Sequence, residues 1–266
     1  MHLSLSLSPA LAPSLTPYVC SQETGRYQWV SFGQIYERVL ALADALSGLP
    51  GGSFVAICCH NCPEWLITDF ACTLRDLRVV GIHTSWPQED IEHVLANSEA
   101  TCVVSALSNV DKFIKAAAEA TTKSTKIKYL IVITRVQGIN EYEGFDREAA
   151  RKEWQERVEG LQVFYFDELE SGERTLPPLL VDVATKNASN DATEDLFSLI
   201  YSSGTTGVPK GIMVSKTAWW HSNIIRPVWL IPNVILSYSP LAHGMVSNFS
   251  LSISLSLSLS LSLSLS

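Results

Sequence analysis

Positive charge is scarce in this sequence. Its 266 residues hold 19 Lys and Arg against 27 Asp and Glu, so the formal net charge is −8, and no Lys/Arg cluster builds a basic stripe. Nucleic-acid binding rests on such a stripe and is excluded as a function class. An anionic ligand would have to be held by a local site rather than by a global positive field. Cysteine is sparse as well. The six, Cys20, Cys58, Cys59, Cys62, Cys72 and Cys102, show no spacing that reads as a disulfide framework. That usage points to a reducing compartment, cytoplasmic or peripheral on an intracellular membrane. The run Cys58-Cys59-His60-Asn61-Cys62 lacks the second Cys or His pair of a structural zinc site. It reads as buried thiols at a strand end, and no metal site is expected. No run of about 18 apolar residues is present to make a transmembrane helix. Met1 to Pro13 lacks the positively charged start of a signal peptide, and the terminal Ser-Leu-Ser is not the Ser-Lys-Leu address.

Apolar residues are plentiful at 47%, against 17% charged, which is the balance of a chain that folds. The two ends differ from the middle. Residues 3–8 alternate Leu and Ser, and residues 250–266 alternate Ser with Leu except at Ile253. A CT dinucleotide repeat translates as Leu-Ser, so both ends read as translated repeat and are set aside from fold reasoning. The expected organisation is a tail over 1–17, a domain over 18–249 and a repeat over 250–266.

Within the domain the first expected element is a helix over 32–47, with Ser31 and Gln34 forming a capping box and Gly48 just past its end. Its apolar face is Phe32, Ile35, Tyr36, Val39, Leu42, Ala43 and Leu46. Short apolar runs then alternate with helical stretches. Strands are expected at 54–59, 79–82, 101–104, 129–133 and 163–166, and helices at 63–75, 88–97, 110–120 and 146–159. Strands alternating with helices of this length imply βαβ units, hence an α/β fold whose mostly parallel sheet is covered on both faces. Residues 171–195 read as a surface loop, 216–223 as a helix and 234–238 as a strand.

The densest signal is Tyr201-Ser202-Ser203-Gly204-Thr205-Thr206-Gly207-Val208-Pro209-Lys210-Gly211, between the apolar runs 196–200 and 212–214. It reads as strand, loop, strand. Its glycines admit close backbone approach and positive φ. Its hydroxyls and backbone N–H groups can form an anion-binding nest, and Lys210 adds a cation. An ordinary P-loop would need Gly-Lys-Ser/Thr opening a helix. Here Val208-Pro209 separates Gly207 from Lys210, and Gly211 with a β-like run follows. A dinucleotide-binding Gly-x-Gly-x-x-Gly opening a helix is also missing.

This eleven-residue stretch resembles, residue for residue, the signature loop of the adenylate-forming enzymes: acyl-CoA synthetases, luciferases and related ligases. Asn61-Cys62-Pro63-Glu64-Trp65-Leu66 looks like the Asn-x-Pro-Glu-Trp stretch of long-chain acyl-CoA synthetases. Residues 90–99, Glu194-Asp195-Leu196 and Pro240-Leu241-Ala242-His243 are similar to further segments of that group, so the likeness runs over about 25–249. It implies the fold of the N-terminal adenylate-forming domain, in part. It implies ATP, Mg²⁺ and coenzyme A as reactants and cofactor, and a fatty acid or other small carboxylate as substrate. Ser202, Ser203, Gly204, Thr205, Thr206, Gly207 and Lys210 would hold the ATP phosphates. His243 would sit near the acyl pocket, although a hydrogen-bonded loop histidine explains it almost as well. The family's adenine- and ribose-binding motifs, its Thr-Glu pair for Mg²⁺ and its adenylation lysine have no counterpart after Gly244. The resemblance therefore implies a piece of a long-chain acyl-CoA ligase that is inactive alone, with an unpaired sheet edge and poor solubility. A non-catalytic nucleotide- or acyl-binding module, or part of an aryl-CoA ligase, stands as an alternative. Membrane association is a property of some relatives for which this sequence offers no anchor.

Overall fold

The computed structural model describes residues 18–21, 26–118, 127–136, 139–140, 144–179, 195–202 and 207–224. Two short strands come first, β1 (Tyr18–Ser21) and β2 (Arg26–Trp29), paired antiparallel. They precede the helix expected as the first ordered element, because two runs of β-favouring residues flank a short connection and can pair locally. Helix α1 (Phe32–Ala45) follows with its capping box closed in both directions by Ser31 and Gln34. Then come β3 (Phe54–Cys58), α2 (Pro63–Leu74), β4 (Arg78–Gly81), α3 (Gln88–Ser98), β5 (Cys102–Ala106), α4 (Val110–Ala118) and β6 (Tyr129–Ile133). A small hairpin, β7 (Arg135–Val136) with β8 (Ile139–Asn140), leads to α5 (Arg147–Arg157), β9 (Gln162–Tyr165) and α6 (Phe166–Glu170). The described chain closes with β10 (Leu196–Ser202), β11 (Lys210–Ser215) and α7 (Lys216–Ile224).

Seven strands make one sheet in the order β11-β10-β4-β3-β5-β6-β9, parallel throughout except for β11, which runs antiparallel to β10. The expected α/β class is thus the observed one. Alternate residues of each strand feed two apolar cores. Val55, Ile57, Val104 and Ile131 pack under α1, α2 and α6, while Ala56, Val80, Val103, Leu130 and Val132 pack under α3, α4 and α5. Each fully buried Ile or Val side chain stabilises by roughly 1.5–3 kcal/mol, so burial on both faces explains why the strands read as unbroken apolar runs.

Several details depart from expectation. Tyr36 is 40% exposed and leaves the apolar face of α1. Gly48 ends a 3-10 turn instead of capping in a left-handed conformation. Its real constraint is contact: a Cβ there would lie 2.3 Å from the Leu176 carbonyl oxygen and 2.4 Å from that of Pro177. Residues 176–179 run back against the end of α1, with the Leu176 N–H donating to Ala45 O at 2.9 Å and the Leu179 N–H to Gly48 O at 2.8 Å. The segment expected to be a surface loop therefore buries Leu176 where it is described. Helix α6 is unexpected as well. Residues 166–170 supply Glu168 to Arg151 of α5, and the Arg147 and Arg151 guanidinium carbons each stand 4.9 Å from the centroid of the Tyr165 ring. Arg151 is buried by that pairing. Arg38 of α1 bonds both Glu64 of α2, at 3.0 Å, and Glu170 of α6. Strand 234–238, His243 and the terminal repeats lie outside the described residues. Among the described residues, no helix is long and apolar enough to cross a membrane.

Asp69 of α2 is 4% exposed, and burial pushes its carboxyl up to about 7. An unfolded Asp titrates near ~3.9, so the native state keeps a proton that the unfolded state releases. The resulting stability is complete below about pH 4 and is lost as pH rises through about 7. Denaturant unfolding of wild type and Asp69→Asn across pH 4–8 should show the variant gaining relative stability with pH, on the order of a few kcal/mol by neutrality. Parallel pH profiles would contradict the assignment.

Candidate functional site

The signature stretch is a hairpin on the sheet. β10 lies beside β4 in parallel, Ile200 opposite Gly81, so its chain leaves at the carboxyl ends of the strands, where open α/β sheets place their ligands. β11 returns antiparallel, pairing Tyr201 with Gly211 and Ser202 with Lys210. Ser202 and Lys210 are thereby held opposite each other. Ser202 is exposed at the end of β10, Gly207 has φ +85°, and Lys210 is exposed at the start of β11. Ser203, Gly204, Thr205, Thr206 and His243 lie outside the described residues; of the expected set the structure describes Ser202, Gly207 and Lys210, and it pairs Ser202 with Lys210.

Side chains pack around the arms of this hairpin. The Tyr201 ring covers Gly211, whose hypothetical Cβ would be 3.0 Å from Cζ, 3.2 Å from Cε1 and 3.3 Å from Oη. A glycine in that cross-strand position lets the aromatic ring lie across the backbone. The Tyr201 hydroxyl donates to Asn97 Oδ1 at 2.6 Å. Burial pushes that phenol up to about 12, so it stays a neutral donor at neutral pH. On the returning arm, His93 Nε2 lies 3.1 Å from the Pro209 carbonyl oxygen. A carbonyl only accepts, so Nε2 carries the proton in this contact. His93 and Asn97 are four residues apart on α3 and share a face. A helix was expected over 88–97, but that reading singled out neither of these side chains. The signal that could have found them is a polar pair at i, i+4 beside the inward positions Ile91, Val94 and Leu95.

The neighbouring strand end is also fixed. After β4, Lys112 Nζ donates to Thr84 O at 2.8 Å and Trp86 O at 3.2 Å, and His83 stacks on Trp86 with centroids 6.2 Å apart. Lys216 is engaged with Asp76 at 2.7 Å. Lys112 and Lys216 are thus committed to structural contacts, and Lys210 is the exposed ammonium at the hairpin mouth. The point where the strand order reverses lies elsewhere, between β3 and β5. Cys58, Cys59 and Cys62 occupy it as buried thiols, with Cys59 Sγ and Cys62 Sγ 3.7 Å apart. Burial pushes the Cys58 thiol up to about 12, and the hydrogen bond with Cys62 together with burial raises that of Cys59. Among the described residues, no three His, Cys, Asp or Glu side chains converge to hold a metal ion.

A family model described as AMP-binding enzyme matches residues 10–262. The chain is 27% identical over 229 residues to "Acyl-CoA ligase 891, peroxisomal" of Penicillium roqueforti, covering 82% of this chain and 30% of that protein. It is 26% identical over 232 residues to "Long chain acyl-CoA synthetase 4" of Arabidopsis thaliana, covering 82% and 31%. The chain therefore spans about a third of the length of these relatives. In three dimensions it resembles the didomain of carboxylic acid reductase from Segniliparus rugosus solved with AMP, at a TM-score of 0.65 and 24% identity, covering 92% of this chain and 35% of that one. That likeness shows the fold, the N-terminal part of an adenylate-forming domain.

The two described glycines of the hairpin should fail in different ways. Gly207→Ala meets no atom within 4 Å but needs φ +85°, a backbone cost of about 1–2 kcal/mol. Gly211→Ala must displace the Tyr201 ring at 3.0 Å, a packing cost of roughly 1–3 kcal/mol. In urea unfolding, adding Tyr201→Ala should abolish the cost of Gly211→Ala and leave that of Gly207→Ala unchanged. Additivity in both pairs would refute the ring contact.

Proposed function

The chain belongs to the AMP-binding enzyme family, and from that premise we propose that its hairpin supplies the phosphate grip of an ATP-dependent ligase acting on long-chain fatty acids. The observation that carries this reading is the placement of the signature stretch. An exposed Lys210 stands opposite Ser202 on paired strands at the ligand-binding end of a parallel sheet. With a net charge of −8 the molecule offers ATP no long-range attraction. The grip is local: backbone N–H groups and the hydroxyls of Ser202, Ser203, Thr205 and Thr206, with Lys210, surround the β- and γ-phosphates. Gly204 and Gly207 let the backbone close on them.

In the full reaction the carboxylate oxygen attacks the α-phosphorus, the bond to the β-phosphate oxygen breaks, and pyrophosphate leaves with its electron pair. Coenzyme A thiol then displaces AMP to give the thioester. Holding the leaving pyrophosphate is work this hairpin can do, since charge accumulates there as the bond breaks. His243 would serve the acyl pocket. Among the described residues no three His, Cys, Asp or Glu side chains converge on a metal site; Mg²⁺ would enter on the ATP phosphates, where it needs few protein ligands, and no step is assigned to it. The substrate class rests on the acyl-CoA ligases and synthetases that the chain resembles. The 266 residues by themselves bind ATP by its tail and do not complete adenylation, since the family's adenine pocket and adenylation lysine have no counterpart among them.

Calorimetry on the purified chain should detect MgATP binding, weakened about tenfold or more in Lys210→Ala through loss of one charge-assisted contact. Fatty-acid-dependent exchange of pyrophosphate into ATP should stay at background. Absence of ATP binding would sink the phosphate grip, whereas exchange well above background would overturn the claim that these residues alone are inactive.

A further inference from the structure

We propose that His93 and Asn97 are positioning residues for the signature loop: side by side on α3, they hold its two arms at a set separation, and the loop's affinity for polyphosphate depends on them. This rests on the phosphate reading above for its ligand but on contacts alone for its geometry. Three observations converge. The bonds reach both sides of the loop, Asn97 to the outgoing arm through the Tyr201 hydroxyl at 2.6 Å and His93 to the returning arm through the Pro209 carbonyl at 3.1 Å. Both originate from one rigid helix, whose Ile91, Val94 and Leu95 are fully buried against the sheet, so neither anchor can drift independently of the core. The acceptor on the returning arm also matters. Pro209 has no N–H and cannot extend the β10–β11 ladder as a donor. Its carbonyl is taken by a side chain from outside the sheet, immediately before Lys210 enters its register opposite Ser202. His93 thus determines where the ladder begins and where the loop's one lysine starts.

The mechanism is pre-organisation. Ligand-free ordering of the arms removes part of the entropy that a phosphate would otherwise have to offset on binding. A mainly structural role would lower global stability and leave the loop's affinity unchanged once the chain is folded. A positioning role separates the two readouts.

The experiment uses the full chain with four substitutions: His93→Ala, His93→Gln, Asn97→Ala and Tyr201→Phe. Amide hydrogen exchange is read at Tyr201, Ser202, Lys210 and Gly211 and compared with core amides of β3 and β5. MgATP affinity is measured in parallel. Loss of one hydrogen bond should speed exchange at the arms by about three- to tenfold and weaken MgATP by a similar factor, with core amides unchanged. His93→Gln, whose amide can donate to the same carbonyl, should restore at least half of each effect. Asn97→Ala, Tyr201→Phe and the two combined in one chain should all show the same effect, because each removes the same bond. Unchanged arm exchange in His93→Ala and Asn97→Ala would overturn the proposal, as would uniform loosening of arm and core together. If the wild-type chain binds no MgATP, the phosphate reading fails, and exchange at the arms still decides whether α3 positions them.

Discussion

A stretch of glycines and small hydroxyls carries little apolar area to offset the cost of ordering it. Fixing the backbone of one residue costs about 1–2 kcal/mol, and the stretch from Ser202 to Lys210 contains no large apolar side chain except Val208, which is 51% exposed. Everything else in the described structure can be understood as the answer to that constraint. The ends of the loop are placed by β10 and β11, β10 is placed by β4, and β4 is placed by a sheet whose interior strands are buried on both faces. Rigidity is generated where apolar area is large and delivered where it is small.

Two routes deliver it. The first is the ladder, which fixes Ser202 opposite Lys210 and Tyr201 opposite Gly211. The second is lateral, from α3 through His93 and Asn97. The ladder alone leaves an edge: β11 pairs only with β10 among the described residues, and Ile212 and Met213 are 53% and 64% exposed. An edge strand held on one side is the least constrained in a sheet, so a bond from α3 to Pro209, the residue just before that edge strand, matters more there than it would beside an interior strand. The Tyr201 ring lying across Gly211 serves the same end, since it joins the two strands through a contact that no larger residue at 211 would permit.

The sheet was legible because its signals are local and repeated. Strand by strand, Val55–Cys58, Cys102–Val104 and Tyr129–Ile133 are apolar runs of the right length, and Ser31, Gln34 and Pro63 mark helix starts by residue type alone. The elements missed were those created by distant contact. Helix α6 gains its place from Arg151, 17 residues away, and Gly48 is needed because residue 176 passes over it. Neither relation leaves a trace in a short window. The candidate site divides in the same way. Its loop was legible because eleven consecutive residues carry the pattern. Its supports were not, because Tyr201 and Asn97 are 104 residues apart and His93 and Pro209 116 apart, and a lone His or Asn on a helix has no distinguishing local surroundings.

The same division bears on how a weakly similar chain keeps a strongly marked loop. At 27% identity to a ligase over 229 residues, most core positions can exchange one apolar residue for another of similar volume at a cost under about 1.5 kcal/mol. Under the phosphate reading proposed for it the loop would have no such freedom, because phosphate contact needs particular donors at particular distances. The supports fall between the two. His93 must present a donor to a carbonyl and Asn97 an acceptor to a phenol, but several side chains could do either at the same positions. On that reading, chemistry dictates the loop residue by residue, the supports by function of their polar atoms, and the core only by size and pattern. In this chain those three grades of constraint occur in succession, from the loop at Pro209 through His93 to Val94 and the sheet beneath it.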